Sequence, residues 1–307
     1  MRAFIFPGQG SQKVGMGVEL ADASGAARDV FGEVDEALGQ HLAKLMAEGP
    51  AGELTMTANA QPAIMAHSIA VLRTLGVDLD GNADFVAGHS LGEYSALCGA
   101  GTFALAETAK LLRIRGNAMQ AAVPVGVGAM AALLGVDIAM AEEIAAACAE
   151  GEVCEVANDN DPGQVVLSGH AGAIDRVVER AKDMGAKRAI KLPVSAPFHC
   201  SLMQPAADRM AEALGRASMH SPSVPLVANV TASAGADVDA IRDQLVTQVT
   251  GRVRWRESVA WMADQGVTQF VEVGGKVLGP MVKKIAPDAE TVNLVSMDDI
   301  EAFAKEV

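Results

Sequence analysis

A serine between two glycines is the first candidate for chemistry in this sequence. Residues 88–92, Gly-His-Ser-Leu-Gly, match GxSxG, the pattern of a nucleophile elbow. A short apolar run precedes the pattern and a helical stretch follows it, which is the strand–turn–helix context that the elbow requires. Such a turn exposes the serine hydroxyl at a helix N-terminus, where free N–H groups can hold a developing oxyanion. The pattern therefore predicts Ser90 as a nucleophile, with a structural Gly-Ser turn as the alternative.

A catalytic serine needs a base, and the sequence offers six histidines. His89 adjoins the serine, but neighbours on a turn point in different directions. His199 follows a predicted strand at 187–194 and a bend at 195–197, so it lies near the end of a strand, where α/β active sites collect. We therefore favour His199, with a loop histidine of no catalytic role as the alternative. The aspartates between Ser90 and His199 all fall in a predicted insert, so a hydrolase triad fits poorly.

A glycine-rich loop and one arginine could complete the site. Residues 8–12, Gly-Gln-Gly-Ser-Gln, follow the first predicted strand, and their N–H groups could serve an oxyanion hole or form an ordinary turn. In the predicted helix 103–121, Arg113 shares a polar stripe, whereas Arg115 lies in the row of Leu111 and points inward. A buried guanidinium needs an anionic partner. That partner is either the carboxylate of a ligand or a structural ion pair.

The elements that must position these residues alternate between strands and helices, which indicates a parallel sheet covered on both faces. A long acidic stretch at about 17–48 reads as helical. Strands are predicted at 3–6, 84–87, 225–231, 269–273 and 291–295.

The middle of the chain follows a different order, β-α-β-β-α-β, which is the ferredoxin-like arrangement. We therefore predict a large domain formed by residues 1–124 and 195–307, with a small inserted subdomain at 125–194. Residues 125–131 fit the loose dinucleotide pattern GxGxxA, but no strand precedes them, so we interpret them as a hinge.

The composition excludes several classes of protein. With 38 acidic and 24 basic residues the chain carries a formal charge of −14, whereas a nucleic-acid binder concentrates Lys and Arg. The four cysteines form no CxxC pair or zinc-site spacing, and the longest uncharged apolar run, 123–136, is too short to span a bilayer. We expect a monomer with reduced thiols in a cytoplasm-like compartment, with no nucleic-acid or membrane partner and no metal.

Seven segments, in order along nearly the whole chain, resemble the malonyl-CoA:acyl carrier protein transacylases of fatty-acid synthesis. They are residues 6–12, 88–97, 115–116, 158, 162–166, 194–200 and 272–274. The resemblance implies an α/β-hydrolase-like core with a ferredoxin-like insert. One stretch departs from the family, because residues 273–278 are one residue shorter than its VGxGKVL motif, which puts the role of that loop in doubt.

The resemblance also implies roles for individual residues. Ser90 would be the acylated nucleophile and His199 its base, and the backbone N–H groups of Gln9 and Leu91 would form the oxyanion hole. Arg115 would hold the free carboxylate of the malonyl group.

Two further residues receive roles from the resemblance. The backbone carbonyl of Gln248 would orient the histidine, in place of a triad aspartate. Phe198 would crowd a branched acyl group and so favour malonyl over methylmalonyl.

The implied activity is transfer of a malonyl group from malonyl-CoA to the phosphopantetheine thiol of acyl carrier protein, without a cofactor of the enzyme's own. The alternatives are a serine thioesterase or esterase, a non-catalytic carrier-binding module, and the same transacylase serving polyketide synthesis. Both substrates are anionic, and two segments carry a net positive charge, 176–191 and 252–284. We therefore predict that these segments border the substrate entrance.

Overall fold

Two β-sheets organise the chain in the computed structural model, which describes residues 1–307. The strands are β1 (Arg2–Phe6), β2 (Phe85–Gly88), β3 (Gly128–Leu134), β4 (Cys154–Asp161), β5 (Gln164–His170), β6 (Arg188–Lys191), β7 (Leu226–Val227), β8 (Ala234–Gly235), β9 (Gln269–Val273) and β10 (Glu290–Leu294). The larger sheet has the order β10-β9-β1-β2-β7-β8, and the smaller has the order β4-β5-β3-β6.

The larger sheet is parallel except for β8 at its edge. Its central strand β1 is buried on both faces: Phe4 and Phe6 pack into one core, and Ala3 and Ile5 into another. This burial explains the continuous apolar run in the sequence. The predicted α/β class with a parallel sheet is confirmed.

Fourteen α-helices accompany the sheets. They are α1 (Val18–Ala23), α2 (Gly25–Leu38), α3 (Leu42–Glu48), α4 (Ala51–Thr55), α5 (Thr57–Leu75), α6 (Gly92–Gly99), α7 (Leu105–Ala121), α8 (Ile138–Ala149), α9 (Ala171–Arg180), α10 (Gln204–Arg216), α11 (Val238–Thr250), α12 (Trp255–Asp264), α13 (Leu278–Ile285) and α14 (Met297–Phe303). No helix combines the length and the apolarity needed to cross a membrane.

Two predicted elements of the large domain differ from the structure. The helical stretch at 17–48 is three helices, because Ser24 caps α2 at its start and Gly39, in a left-handed conformation, ends it. The predicted strand 225–231 shortens to β7, because the backbone N–H of Asn229 donates to a side chain rather than to a neighbouring strand. The sequence analysis did not predict α10 or α14.

The smaller sheet forms a separate layer with α8 and α9 within residues 128–191. Its alternate residues face two different cores: Ala131 and Leu133 pack under α8 and α9, while Met130 and Ala132 pack toward the large domain. Val253 joins the two parts, because its backbone exchanges hydrogen bonds with β4. The four antiparallel strands therefore present one face to the carboxyl end of the larger sheet.

Candidate active site

Ser90 lies in a strained turn between β2 and α6. Its φ is 55°, in the left-handed region that side chains rarely adopt. The turn is tight enough that a Cβ at Gly88 would lie 1.9 Å from the backbone of Gly92, and a Cβ at Gly92 would lie 2.3 Å from the carbonyl oxygen of Phe6. The two glycines of GxSxG are therefore steric requirements of the elbow.

Ser90 and His199 form a hydrogen-bonded pair. Ser90 Oγ lies 2.7 Å from His199 Nε2, and His199 Nδ1 donates to the carbonyl oxygen of Gln248 at 2.8 Å. Because a carbonyl only accepts, the ring proton resides on Nδ1 and Nε2 is left to receive the serine proton. A backbone carbonyl thus stands where a hydrolase triad has a carboxylate.

The environment keeps His199 neutral. Burial, with help from the nearby positive charge of Arg115, lowers the pKa of His199 to about 3. The predicted strand 187–194 is shorter than expected, because β6 ends at Lys191, eight residues before His199. The histidine nevertheless reaches the serine, across 109 residues of sequence.

Arg115 is buried, as the helical periodicity of α7 indicated, with 2% of the residue exposed. Its Nη1 donates to Gln61 Oε1 at 2.8 Å, and its Nη2 donates to Gln248 Oε1 at 2.8 Å and Ser90 Oγ at 3.0 Å. No carboxylate of the chain forms an ion pair with it. A buried cation with neutral partners beside a nucleophile is suited to an anionic group of a ligand. Arg113, in contrast, is half-buried and bonds Asn59.

The backbone N–H groups of Gln9 and Leu91 donate to no carbonyl or side chain of the chain. Both residues line the same cavity as Ser90. Leu91 stands just before α6, whose N-terminal end favours negative charge. The side chain of Gln9 is held by Thr57, whose hydroxyl donates to Gln9 Oε1 at 3.1 Å. Two unpaired donors beside the nucleophile can serve a tetrahedral oxyanion.

A cavity of about 360 Å³ joins these residues and lies between the large domain and the smaller sheet. From the large domain it is lined by Gln9, Ser90, Leu91, Arg115, Phe198 and His199, and from the inserted strands by Asn158, Asn160, Gln164 and Val166. Phe198 is 8% exposed and stands directly before the base. Gln248 is fully buried and contacts both Arg115 and His199.

Three polar residues near the serine were missed by the sequence analysis: Gln61, Glu93 and Asn229. Asn229 Oδ1 accepts from the backbone N–H of Ser90 at 2.8 Å, and its Nδ2 donates to the carbonyl of Gly88 at 2.7 Å. The backbone N–H of Asn229 in turn donates to Glu93 Oε1 at 2.6 Å. Burial raises the pKa of Glu93 to about 8, although its donors and Arg115 oppose the shift. The sequence signal that could have identified Glu93 is that it is the only charged residue of helix α6.

Several neighbouring residues take no part in the Ser90–His199 pair. His89 Nε2 bonds Asn160 Oδ1 at 2.9 Å, away from the serine. Burial raises the pKa of the Cys200 thiol to about 11, so it remains protonated. No group of three or more His, Cys, Asp and Glu side chains could hold a metal ion.

The shortened loop 273–278 is held in place by the carboxylate of Glu272, the residue before it. The Glu272 carboxylate accepts from the backbone N–H groups of Val277, Leu278 and Gly279 at 2.8–2.9 Å, at the start of α13. Val277 and Leu278 line the cavity. The loop therefore places the N-terminus of α13 against the site.

Comparisons with known proteins agree with this geometry. An acyl transferase domain family matches residues 3–278. The chain is 44% identical over 303 residues to malonyl CoA-acyl carrier protein transacylase of Escherichia coli (strain K12), covering 98% of this chain and 97% of that protein. The acyl-carrier-protein-S-malonyltransferase from Bartonella henselae is 52% identical with a TM-score of 0.97, covering 99% of this chain and 98% of that one.

A further similar structure contains a bound partner protein. A malonyl-transacylase in complex with its type II PKS acyl-carrier protein is 38% identical, with a TM-score of 0.96, covering 100% of this chain and 99% of that one. The family resemblance inferred from the motifs is confirmed over almost the full length. This chain belongs to the acyl transferase domain family.

Proposed function

We propose that this chain transfers a malonyl group from malonyl-CoA to the phosphopantetheine thiol of acyl carrier protein, through a malonyl ester of Ser90. The observation that carries the proposal is the contact of Ser90 Oγ with both a neutral histidine and a buried arginine. The neutral histidine makes the serine a nucleophile, and the buried arginine selects an acyl group that carries its own carboxylate. The names of the full-length relatives support the same reaction.

The first half-reaction begins with proton transfer. His199 Nε2 accepts the Ser90 proton as Oγ attacks the thioester carbonyl. The negative charge on the tetrahedral oxygen is met by the N–H groups of Gln9 and Leu91. The C–S bond then breaks, and CoA leaves as a thiol after taking the proton back from His199.

Arg115 has the geometry to receive the malonyl carboxylate. Its two Nη atoms bond only neutral groups, which are Gln61, Gln248 and Ser90, so no carboxylate of the protein competes with an incoming anion. A guanidinium offers a carboxylate two parallel hydrogen bonds and fixes its orientation. Phe198 limits the space beside the acyl chain, which favours an unbranched group over methylmalonyl.

The second half-reaction repeats the first with another thiol. His199 removes the proton from the phosphopantetheine thiol, which attacks the malonyl ester, and Ser90 leaves with the proton from His199. An ester and a thioester are of comparable reactivity, so the cycle is reversible and no metal or cofactor of the enzyme takes part. The inserted strands cover the cavity and help to exclude water, which distinguishes transfer from the hydrolysis of a thioesterase or esterase.

Malonyl-acyl carrier protein is the extender for fatty-acid synthesis, and we propose that supply as the role of this chain. The structural similarity to a malonyl-transacylase bound to a type II PKS carrier protein makes polyketide synthesis the second candidate. The chemistry is identical in both. A monomeric state and a cytoplasm-like location stay predictions.

Mass spectrometry of the intact protein tests the proposal directly. After mixing with malonyl-CoA, we expect one malonyl group on Ser90, and after addition of holo acyl carrier protein we expect that group on the carrier. The Ser90→Ala variant should carry no label, because it lacks the attacking oxygen. Label that persists on that variant, or release of free malonate as fast as transfer, would contradict the mechanism.

A further inference from the structure

The side chain of Gln248 is a junction that the proposed mechanism does not use. Its Nε2 donates to the carbonyl oxygen of Ser90 at 2.9 Å and to Glu93 Oε2, and its Oε1 accepts from Arg115 Nη2 at 2.8 Å. All of these atoms are buried or nearly so, and Gln248 itself is fully buried. The amide therefore links the helix of the nucleophile, α6, to the arginine on α7.

The orientation of this amide depends on Glu93. The carboxyl oxygens of Glu93 face two donors, the backbone N–H of Asn229 and the Gln248 amide nitrogen. The Ser90 carbonyl and the ionised form of Glu93 both only accept, so they require the NH₂ end of the amide to face them and the oxygen to face Arg115. Turned the other way, the amide would place its NH₂ against a guanidinium, which also only donates, and an acceptor for Arg115 would be lost.

Glu93 lies close to Arg115 but forms no direct ion pair with it. It has 1% of its surface exposed, and the amide of Gln248 lies between the two side chains. Arg115 is thus held in place yet keeps its donors available for an anion from outside.

We propose that Glu93 is a positioning residue for acyl-group selection, which fixes the Gln248 amide and through it the Arg115 guanidinium. The inference rests on the proposed function, because it assigns Arg115 to the carboxylate of the acyl group. It adds a residue that contacts no substrate and acts through two others.

The Glu93→Gln variant isolates this role. Its side chain keeps the size of glutamate, and its oxygen can still accept from the Asn229 N–H, which holds the backbone of Ser90. Its NH₂ then meets the NH₂ of Gln248, so of the two acceptors that hold this end of the amide only the Ser90 carbonyl remains. We expect kcat/KM for malonyl transfer to fall about tenfold or more, and acetyl transfer to fall much less, since acetyl has no carboxylate.

Glu272→Gln provides the matched control, because Glu272 is an equally buried carboxylate that accepts only backbone N–H groups. A purely structural effect should lower both transfers together, and this control should keep the malonyl-to-acetyl ratio of the wild type. An unchanged or increased ratio in folded Glu93→Gln would overturn the proposal.

Gln248→Ala supplies a second route to the answer if Glu93→Gln does not fold. It removes the amide but keeps the carbonyl that orients His199, so we expect the same loss of ratio. The double variant should lose no more than the larger single loss, because both changes break one chain of contacts. Additive losses, or an unchanged ratio in Gln248→Ala, would count against Glu93 acting through Gln248. Malonylation of wild-type Ser90 in the same assay separates these outcomes from a failure of the proposed function.

Discussion

Ionisable side chains have opposite kinds of partner at the active site and on the inserted subdomain. At the active site Arg115, His199 and Glu93 are at most 4% exposed, and they meet neutral amides and backbone groups rather than each other. On the insert Arg176 and Lys191 pair directly with acidic neighbours near the surface. A cation with a protein carboxylate is already neutralised, whereas a cation with neutral partners can still bind an anion.

The same comparison changes how the positive charge of segments 176–191 and 252–284 is interpreted. Most of their cations are paired in the structure. Those within 4.0 Å of a carboxylate are Arg176, Arg180, Lys191, Arg252, Arg254, Arg256, Lys276 and Lys284. Their positive balance in the sequence therefore overstates their attraction for anionic substrates. The predicted entrance along these segments stays a prediction, now resting on the few unpaired cations.

Arg115→Ala should have the largest effect of these changes, because it removes the buried cation that has no carboxylate partner at the active site. The variant loses two hydrogen bonds from a buried guanidinium to a carboxylate. We therefore expect kcat/KM for malonyl transfer to fall about 100-fold, which corresponds to a loss of about 3 kcal/mol in transition-state stabilisation. Acetyl transfer should fall much less. Steady-state kinetics with malonyl-CoA and acetyl-CoA measure both, and equal losses would remove the carboxylate-binding role.

Arg256→Ala tests the boundary between the two regions and should affect stability rather than selectivity. Arg256 donates through Nε and Nη2 to Asp159, which is 1% exposed, and so ties α12 to β4 of the insert. Its removal leaves a buried carboxylate without its cation. Because the Arg256 side chain is itself 32% exposed, we expect a loss of about 1–2 kcal/mol in the free energy of unfolding, measured by denaturant titration.

Arg209→Ala is the control for that measurement, since Arg209 and Glu212 are both more than half exposed in their side chains. Such a pair contributes about 0–1 kcal/mol. If both variants lose the same stability, or if Arg256→Ala changes the malonyl-to-acetyl ratio, the boundary pair has a different role from the one assigned.

The residues that the sequence alone could identify are those with a local signature. Ser90 stands in a steric motif, Arg115 departs from the polar stripe of its own helix, and the insert shows the element order β-α-β-β-α-β. Gln248 came only from the family resemblance. Glu93 and Asn229 were missed because their bond joins residues 136 positions apart, and nothing in either segment specifies the other.

Local patterns also failed where tertiary bonds replaced regular pairing. The segment after Val227 reads as a strand, yet the backbone and side chain of Asn229 are taken up by Glu93, Ser90 and Gly88. The chain turns there to hold the elbow. Such segments show that the polar site and the local fold are determined together, whereas the insert follows the order of elements that its own sequence predicts.

Charge reversal at Arg188, the first residue of β6, and at Lys187 just before it should give the smallest effect. Arg188 pairs in register with Leu134, which also pairs with Gln164 of the cavity wall, so Arg188 shares the face toward the active site. Lys187 packs instead along Gly135. We expect Arg188→Glu to raise KM for malonyl-CoA about two- to fivefold at low salt, because an exposed charge acts through a screened field.

Lys187→Glu is the matched control, since it makes the same change of charge one residue away, just before β6 and beside Gly135. It should leave KM close to that of the wild type, and added salt should remove the difference between the two variants. Equal effects from both would mean that the net charge of the insert matters rather than its face. No effect from either would exclude this end of the insert from the entrance, and the anionic substrates would then depend on Arg115 and the cavity wall alone.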